Sequence, residues 1–250
     1  VQLLWNGGRA LASPREITED DAGARQLADL YATDPGRPGI RAMMNATIDG
    51  AIIGDDGTSG PLRNPTDSFV FSVLRAVTDV VLVGAETVRV EDYRRPRGRR
   101  DLLEPSLRPS GAARPALAIM SRTGELPDSI RADWPTLLVT GAAHREQAIE
   151  RSGLPEQNVI SAEDPTAIRR ALTERGYRAI QLEGGTTSLA RFAAAGELDE
   201  LCFSTTHRTL GGHSPRVLQG EASRTDWELD LLAVGGHATI TRYRRAAGLP

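Results

Sequence analysis

The sequence predicts an α/β fold: a mixed, mostly parallel central sheet flanked by helices, with an antiparallel edge at its C-terminal end. Three observations carry this reading. Apolar runs of strand length pass through glycine directly into helix-like patterns, in "VVLVGAETVRV" at residues 80–90 and again in "AIQLEGGTTSLARFAAAG" at 179–196. Other short apolar runs through the middle of the chain also end in turn residues, and strands interleaved with helices make crossover units. Near the end, "WELDLLAVGGHATITRYRR" holds two short alternating runs around a glycine pair, the pattern of a hairpin.

Taken in order, residues 1–17 read as irregular and 18–31 as a helix. The Pro/Gly-rich "ATDPGRPG" then separates an N-terminal extension, 1–37, from the main domain, 38–250. "IRAMMNATIDGAII" reads as a strand near 40–47, a turn and a second extended stretch. "NPTDSFVFSVLRAVTD" is a helix, with Asn64 as its cap and Phe69, Val73, Leu74 and Val77 at helical spacing. Residues 91–114, rich in Arg, Pro and Gly, read as a loop, either a functional flap or an ordinary insertion. Strands follow in "PALAIM", "TLLVTG" and "NVIS", a helix in "DPTAIRRALTERG", and a β-rich tail begins at "LDELCFSTTHRTL".

The bulk numbers narrow the function. A chain of 250 residues with 40% hydrophobic content can bury a sizeable core, and a formal charge of -3 gives no broad attraction to nucleic acid or anionic membrane. Six arginines fall within residues 89–100, but Glu91, Asp92 and Asp101 surround them and only Tyr93 is nearby to stack on a base, so a solvated flap or a local phosphate grip fits better than a nucleic-acid groove. No apolar run is long enough to span a bilayer and no secretory leader pattern opens the chain, so a cytoplasmic setting is expected. Cys202 is the single cysteine, and no Cys/His spacing points to a metal. All 30 Lys/Arg residues are arginine, which removes lysine Schiff-base chemistry.

The candidate chemistry lies in the turns. Gly184, Gly185, Thr186 and Thr187 follow a strand and open a helix, where glycines let backbone N–H groups approach a phosphate and the helix dipole favours the anion. A close-packing turn explains the same glycines equally well. Gly84, Ala85, Glu86 and Thr87 form a second such turn, and two in one chain make a nucleotide crevice more plausible. Ser121, Arg122 and Thr123, after a third strand, suit a terminal phosphate such as the 2′-phosphate that separates NADP from NAD. On the substrate side, Asn45, Thr47 and Asp49 alternate before Gly50 and could present an amide, a hydroxyl and a carboxylate on one face. An Asp-Gly hairpin turn is the competing explanation. Ser59 and Arg63 precede the Asn64 cap, with Arg63 a candidate contact for a substrate phosphate.

Together, "MNATIDG", "SGPLRNPTD", "LRAVTDVVLVGAETVRVEDY", "QLEGGTTSLARF" and "LDELCFST" resemble the pyrimidine reductases of riboflavin biosynthesis, over most of residues 38–245. These are related to the C-terminal part of the bifunctional deaminase-reductase and include stand-alone actinobacterial members. The resemblance implies a dihydrofolate-reductase-like fold and a homodimer. It implies an NADPH-dependent enzyme that reduces the ribosyl portion of 5-amino-6-(5-phosphoribosylamino)uracil to ribityl. Dihydrofolate or a related pterin is the alternative substrate, and a non-enzymatic NADP-binding protein the alternative class. By the same resemblance Gly84–Thr87, Ser121–Thr123 and Gly184–Thr187 hold the cofactor, and Asn45, Thr47, Gly50, Ser59 and Arg63 bind substrate. Asp49 then orients the substrate and is a candidate proton donor. The chain departs from the family at "EDYRRPR", where an Asp-Asp-Pro segment is usual, and with no Pro-Cys-x-x-Cys these residues lack the combined pattern of the zinc deaminase, so deamination is expected of another enzyme.

Overall fold

The computed structural model of the chain describes residues 1–96, 98–102, 104–126, 130 and 134–246. Arg97 and Leu103 of the expected flap, and residues 247–250 at the end of the expected main domain, lie outside them. Among these residues eleven strands form one sheet. In chain order they are β1 (Gln2–Asn6), β2 (Arg9–Glu16), β3 (Gly39–Thr47), β4 (Val80–Gly84), β5 (Ala116–Met120), β6 (Thr136–Thr140), β7 (Val159–Ser161), β8 (Ala179–Glu183), β9 (Glu200–Thr206), β10 (Trp227–Val234) and β11 (Ala238–Arg245). Their spatial order is β2-β1-β10-β11-β9-β3-β8-β4-β5-β6-β7. Among the described residues, the pairings from β9 through to β7 are all parallel and those from β2 to β9 all antiparallel, so the predicted fold class is the observed one.

Among the described residues six α-helices cover the sheet: α1 (Asp21–Leu30), α2 (Pro65–Ala76), α3 (Ala85–Val90), α4 (Arg145–Ser152), α5 (Pro165–Glu174) and α6 (Thr186–Ala194). Strand alternation divides their partners. Ile40, Ala42, Val80, Leu82, Ile180 and Leu182 point to the face under α5 and α6, whereas Met43, Val81 and Val83 point to the face carrying α1, α2 and α3. The parallel strands therefore read as continuous apolar runs, because both of their faces are buried.

Three expectations are corrected. Residues 1–17 are not irregular: β1 and β2 make a hairpin, and β1 pairs with β10, so the N-terminal segment lengthens the antiparallel edge. Leu3 and Ile17 sit fully buried in the same cluster as α1 and α2, which is why this segment has a fixed place. The second extended stretch expected after Gly50 is a loop, because the turn at Asp49 and Gly50 leads away from the sheet instead of returning along it. The helix α4 had no counterpart in the sequence reading. It is short and mostly polar, with one buried alanine, Ala148, so it carries little apolar periodicity.

The long 91–114 segment is held down rather than left free. Leu102 is buried in the cluster beneath α2, and the buried Arg108 guanidinium donates to the carbonyls of Ala76, Glu104 (3.0 Å) and Ala112 (2.5 Å). A planar multi-donor cation satisfies several loop carbonyls that a buried turn would otherwise leave unpaired.

Candidate active site

Parallel strands place their C-terminal ends on one edge of the sheet, and there the ligand crevices of open α/β sheets form. The register sets Met43, Glu183, Val83 and Ile119 in one row across β3, β8, β4 and β5. One residue further along are Met44, Gly184, Gly84 and Met120. Above this edge lies a cleft of ≈ 820 Å³, lined by residues from β3, the 52–63 loop, α2, α3, the start of the 91–114 segment and the β8–α6 turn. That volume is enough for a ligand with several polar groups.

The cleft brings together Asn45, Ser59, Arg63, Glu86, Thr87, Gly184, Gly185 and Thr186, drawn from four separate sequence motifs. On one wall, Gly184 and Gly185 have φ of +61° and +71°, and α6 starts at Gly185 with no side chain capping it. A Cβ on Gly184 would come within 2.7 Å of Thr87 Cγ2. The glycines thus let the β8–α6 turn press against α3 while leaving the first amides of a nine-residue helix open, as an anion cradle requires. Gly84 caps α3, Ala85 is buried beneath it, and Thr187 faces solvent beside the cleft without lining it.

The opposite wall is tied together by hydrogen bonds across four distant segments. Asn64 caps α2 by accepting from the Asp67 amide (2.8 Å) and donates through Nδ2 to Thr206 Oγ1 (2.9 Å). Thr206 in turn donates to Asn45 Oδ1 (2.9 Å), and Asn45 Nδ2 donates to the Leu62 carbonyl (3.2 Å). Ser59 is fastened to Glu91, its amide and hydroxyl donating to the two carboxylate oxygens at 2.8 and 3.0 Å. Arg63 remains exposed at the mouth.

Thr47, Asp49 and Gly50 are placed elsewhere. Thr47 is buried and its hydroxyl accepts from the Ala51 amide (2.9 Å) while donating to Asp49. Asp49 also accepts from the amides of Leu210 (3.0 Å) and Gly211 (2.7 Å), outside the cleft lining. The Thr47 hydroxyl, followed by the Gly211 amide, holds this exposed carboxyl below its ordinary range. Gly50, at φ +87°, closes the turn. An Asp-Gly turn without the returning strand of a hairpin thus describes these residues, and an ionised Asp49 already accepting three donors is poorly suited to give up a proton. Ser121, Arg122 and Thr123 lie at the end of β5, next to β4, on the same edge but beyond the cleft lining. Ser121 Oγ accepts from the Gly124 amide (3.1 Å), and Arg122 and Thr123 are exposed.

Sequence reasoning missed the floor of the cleft. Glu183 makes a two-pronged ion pair with Arg75 (2.8 and 2.6 Å), accepts from Tyr93 Oη (2.6 Å) and from Gln181 Nε2 (2.7 Å), and is almost entirely buried. Arg75 also stacks on Phe71, 4.1 Å from the ring centroid. Burial, then the Glu183 charge, pushes the Tyr93 hydroxyl far above its ordinary value, so it stays a neutral donor. Sequence places Glu183 beside the glycines, where a carboxylate would repel an anion; the structure shows its charge cancelled by Arg75. Asp67, on the first turn of α2, was also missed, since an acidic residue there is ordinary helix-start chemistry. Among the described residues no group of three or more His, Cys, Asp or Glu could hold a metal ion, and no helix is long and apolar enough to cross a membrane.

Comparison with known proteins agrees with this geometry. The family described as the RibD C-terminal domain matches residues 38–240. A curated relative from Archaeoglobus fulgidus, named 2,5-diamino-6-ribosylamino-4(3H)-pyrimidinone 5′-phosphate reductase, is 24% identical over 218 residues, covering 84% of this chain and 100% of its own. A pyrimidine reductase-like protein from Corynebacterium diphtheriae superposes with a TM-score of 0.72 at 23% identity, covering 84% of this chain and 93% of that one. The riboflavin biosynthesis reductase of Saccharomyces gives 0.59 at 15% identity, covering 88% and 98%. These two likenesses establish a shared fold.

Proposed function

From the premise that this chain belongs to the RibD C-terminal domain family, we propose that it is an NADPH-dependent reductase of a phosphorylated ribosylaminopyrimidine in riboflavin biosynthesis. The observation that carries the proposal is the convergence of two glycine turns, at Gly84 and Gly184, on one cleft whose other wall presents Asn45 and Arg63. The curated relative is named for a reaction of this class.

The residues fit a dinucleotide phosphate. The open start of α6, the two glycines and Thr87 form the cradle for the pyrophosphate, with the Thr186 hydroxyl beside it. To Arg122, exposed after β5 on the same edge of the sheet, we assign the adenosine 2′-phosphate that marks NADPH. When bound, the reduced nicotinamide supplies two electrons and a hydrogen to the substrate. The chain's own task is to position the ligands and exclude water. Asn45 is held by Thr206 and Leu62 so that it faces the substrate in one orientation, and Ser59 is fixed by Glu91 at the rim. Arg63 meets the substrate phosphate, and Phe71 and Tyr93 close the apolar part of the cleft. The functional unit is a homodimer working in the cytoplasm.

The test is substrate-dependent oxidation of NADPH by the purified protein. It is run in parallel with 5-amino-6-(5-phosphoribosylamino)uracil, its 2-amino counterpart and dihydrofolate. Turnover of either pyrimidine supports the proposal. Turnover of dihydrofolate alone reassigns the protein to pterin reduction, and NADPH binding without any turnover makes it a binding protein.

A further inference from the structure

Among the described residues, five carboxyl groups line the cleft, and four are committed. Glu183 is paired with Arg75 and Tyr93, Glu91 receives Ser59, Asp92 is paired with Arg94, and the exposed Glu86 with Arg89. Asp67 differs. Its Oδ1 is buried and has no hydrogen-bond partner, and no cation is paired with it among the described residues. The groups facing it from the neighbouring strands are neutral: Ser204 on β9 and Asn45 on β3. Both are potential donors that would favour the carboxylate, but neither closes a hydrogen bond to Oδ1, and burial outweighs them. On its own helix, Arg75 is neutralised by Glu183, and Arg63, just before the helix, is exposed to water. The cap of α2 is supplied by Asn64, so Asp67 is not needed for it.

On the reading of the site as a ribosylaminopyrimidine reductase, we infer that Asp67 is its catalytic acid, donating a proton to the ribosyl ring oxygen as the C1′–O4′ bond opens. The electron pair of that bond goes to O4′, which takes the Asp67 proton and becomes a hydroxyl, while C1′ forms a double bond to its nitrogen, now cationic. C1′ then accepts a hydride equivalent from the reduced nicotinamide, which becomes oxidised, and the C=N electron pair returns to nitrogen. Asp67, left as a carboxylate, is reprotonated by water. A carboxyl that burial biases toward its protonated form is suited to this work. Ordinary helix-start chemistry would instead want Asp67 ionised.

The two accounts diverge in both activity and stability. As a catalytic acid, Asp67→Asn should lower kcat by about 100-fold or more, with KM and NADPH affinity within about threefold of wild type. The fall of kcat at rising pH should vanish with it, and Asp67→Glu should restore part of the rate. The second readout needs no turnover. Because Asp67's pKa is raised in the fold, its contribution to stability is full below the ordinary carboxylate range and lost as pH rises through the raised value. Urea unfolding should therefore show Asp67→Asn equal to or below wild type at low pH and increasingly more stable than wild type as pH rises. A kcat within about threefold of wild type, a loss confined to substrate or NADPH affinity, or a variant destabilised at every pH would overturn the inference. Wild type that turns over beside an equally active Asp67→Asn sinks the role of Asp67 alone; wild type inert toward every ribosylaminopyrimidine sinks the reductase reading and this inference with it.

Discussion

Replacing Glu183 by Gln tests whether the cleft floor is held by charge or by shape. Glu183 and Arg75 expose only 5% and 15% of their side chains, so solvent screens little of their attraction. Gln keeps the size of Glu and one acceptor oxygen, but it cannot neutralise the guanidinium, and its NH₂ would face donors on Arg75, Tyr93 and Gln181. Breaking a buried pair from one side leaves an uncompensated charge, which costs about 3–5 kcal/mol. Stacking of Arg75 on Phe71 and Tyr93 is common to both proteins and cancels, so the expected loss stays at about 3–5 kcal/mol. Equilibrium urea unfolding at neutral pH measures it as a lowered midpoint with an unchanged slope. The double variant Arg75→Met with Glu183→Leu, which removes both charges and fills the space, should recover most of the loss while still weakening NADPH binding, because Gly184 follows directly on this anchor. A loss below about 1 kcal/mol for Glu183→Gln, or a double variant as unstable as the single one, would refute the reasoning.

Other perturbations follow from the same geometry. Gly184→Ala should cost about 1–3 kcal/mol through its positive φ and the Thr87 contact, and should weaken NADPH binding measured by fluorescence; Thr87→Ser in the same chain removes the obstructing methyl and should return part of both. Arg122→Ala should reduce affinity for NADPH about tenfold or more while leaving NADH affinity little changed, and equal losses for the two would end the 2′-phosphate assignment. Arg242→Ala should destabilise by about 3 kcal/mol in thermal unfolding, because it leaves the buried Asp230 with only the longer Arg244 contact (3.5 Å in place of 2.5 Å) and uncaps the Leu30 carbonyl (2.7 Å) at the end of α1. Burial alone would raise the Glu200 pKa, but Arg41, Arg242 and Arg244 outweigh it and hold it low. The stability Glu200 supplies is thus present above the ordinary carboxylate range and lost as pH falls through the depressed value, so Glu200→Gln should flatten the acid arm of a Tm-against-pH curve.

The parallel half of the fold was legible because each strand there is buried on both faces and each turn needs glycine or a cap. "VVLVG", "AIQLEGG" and Asn64 signal these local demands without reference to the rest of the chain. The N-terminal hairpin was not legible. β2 is exposed along most of its length, and β1 has its register broken between Leu3 and Trp5, so neither shows the clean alternation that marks a strand. The site divides in the same way. Its glycine wall could be found because backbone approach restricts residue type. Its other wall depends on Asn45, Asn64 and Thr206 meeting across more than 140 positions of sequence, and the Arg75–Glu183 pair spans 108. Asp49 attracted attention through its spacing with Asn45 and Thr47, but a residue in an Asp-Gly turn has its carboxylate claimed by nearby amides.

This division has a physical consequence for how the site can change. On the proposed function the glycine wall offers a ligand backbone amides, so exchanging side chains there should do little except obstruct, as the 2.7 Å approach at Gly184 shows. The facing wall is side chains on loops, and those loops are fastened to one another: the Ser214 hydroxyl accepts from the Ile52 amide (2.9 Å), Arg208 donates to the Pro61 carbonyl, and Asp49 receives the amides of Leu210 and Gly211. Segments 48–63 and 207–215 are therefore tied to each other and, through Thr206, Asn45 and Asn64, to the sheet and α2. On the proposed function, substitutions in these loops should change which ring is accepted more than they change cofactor affinity, although Ser59 still joins them to Glu91 at the end of α3. Asp67 stands where the two walls meet, its backbone amide fixed by Asn64 and its carboxyl left without a partner, so it can serve a reacting atom whatever the recognised ring.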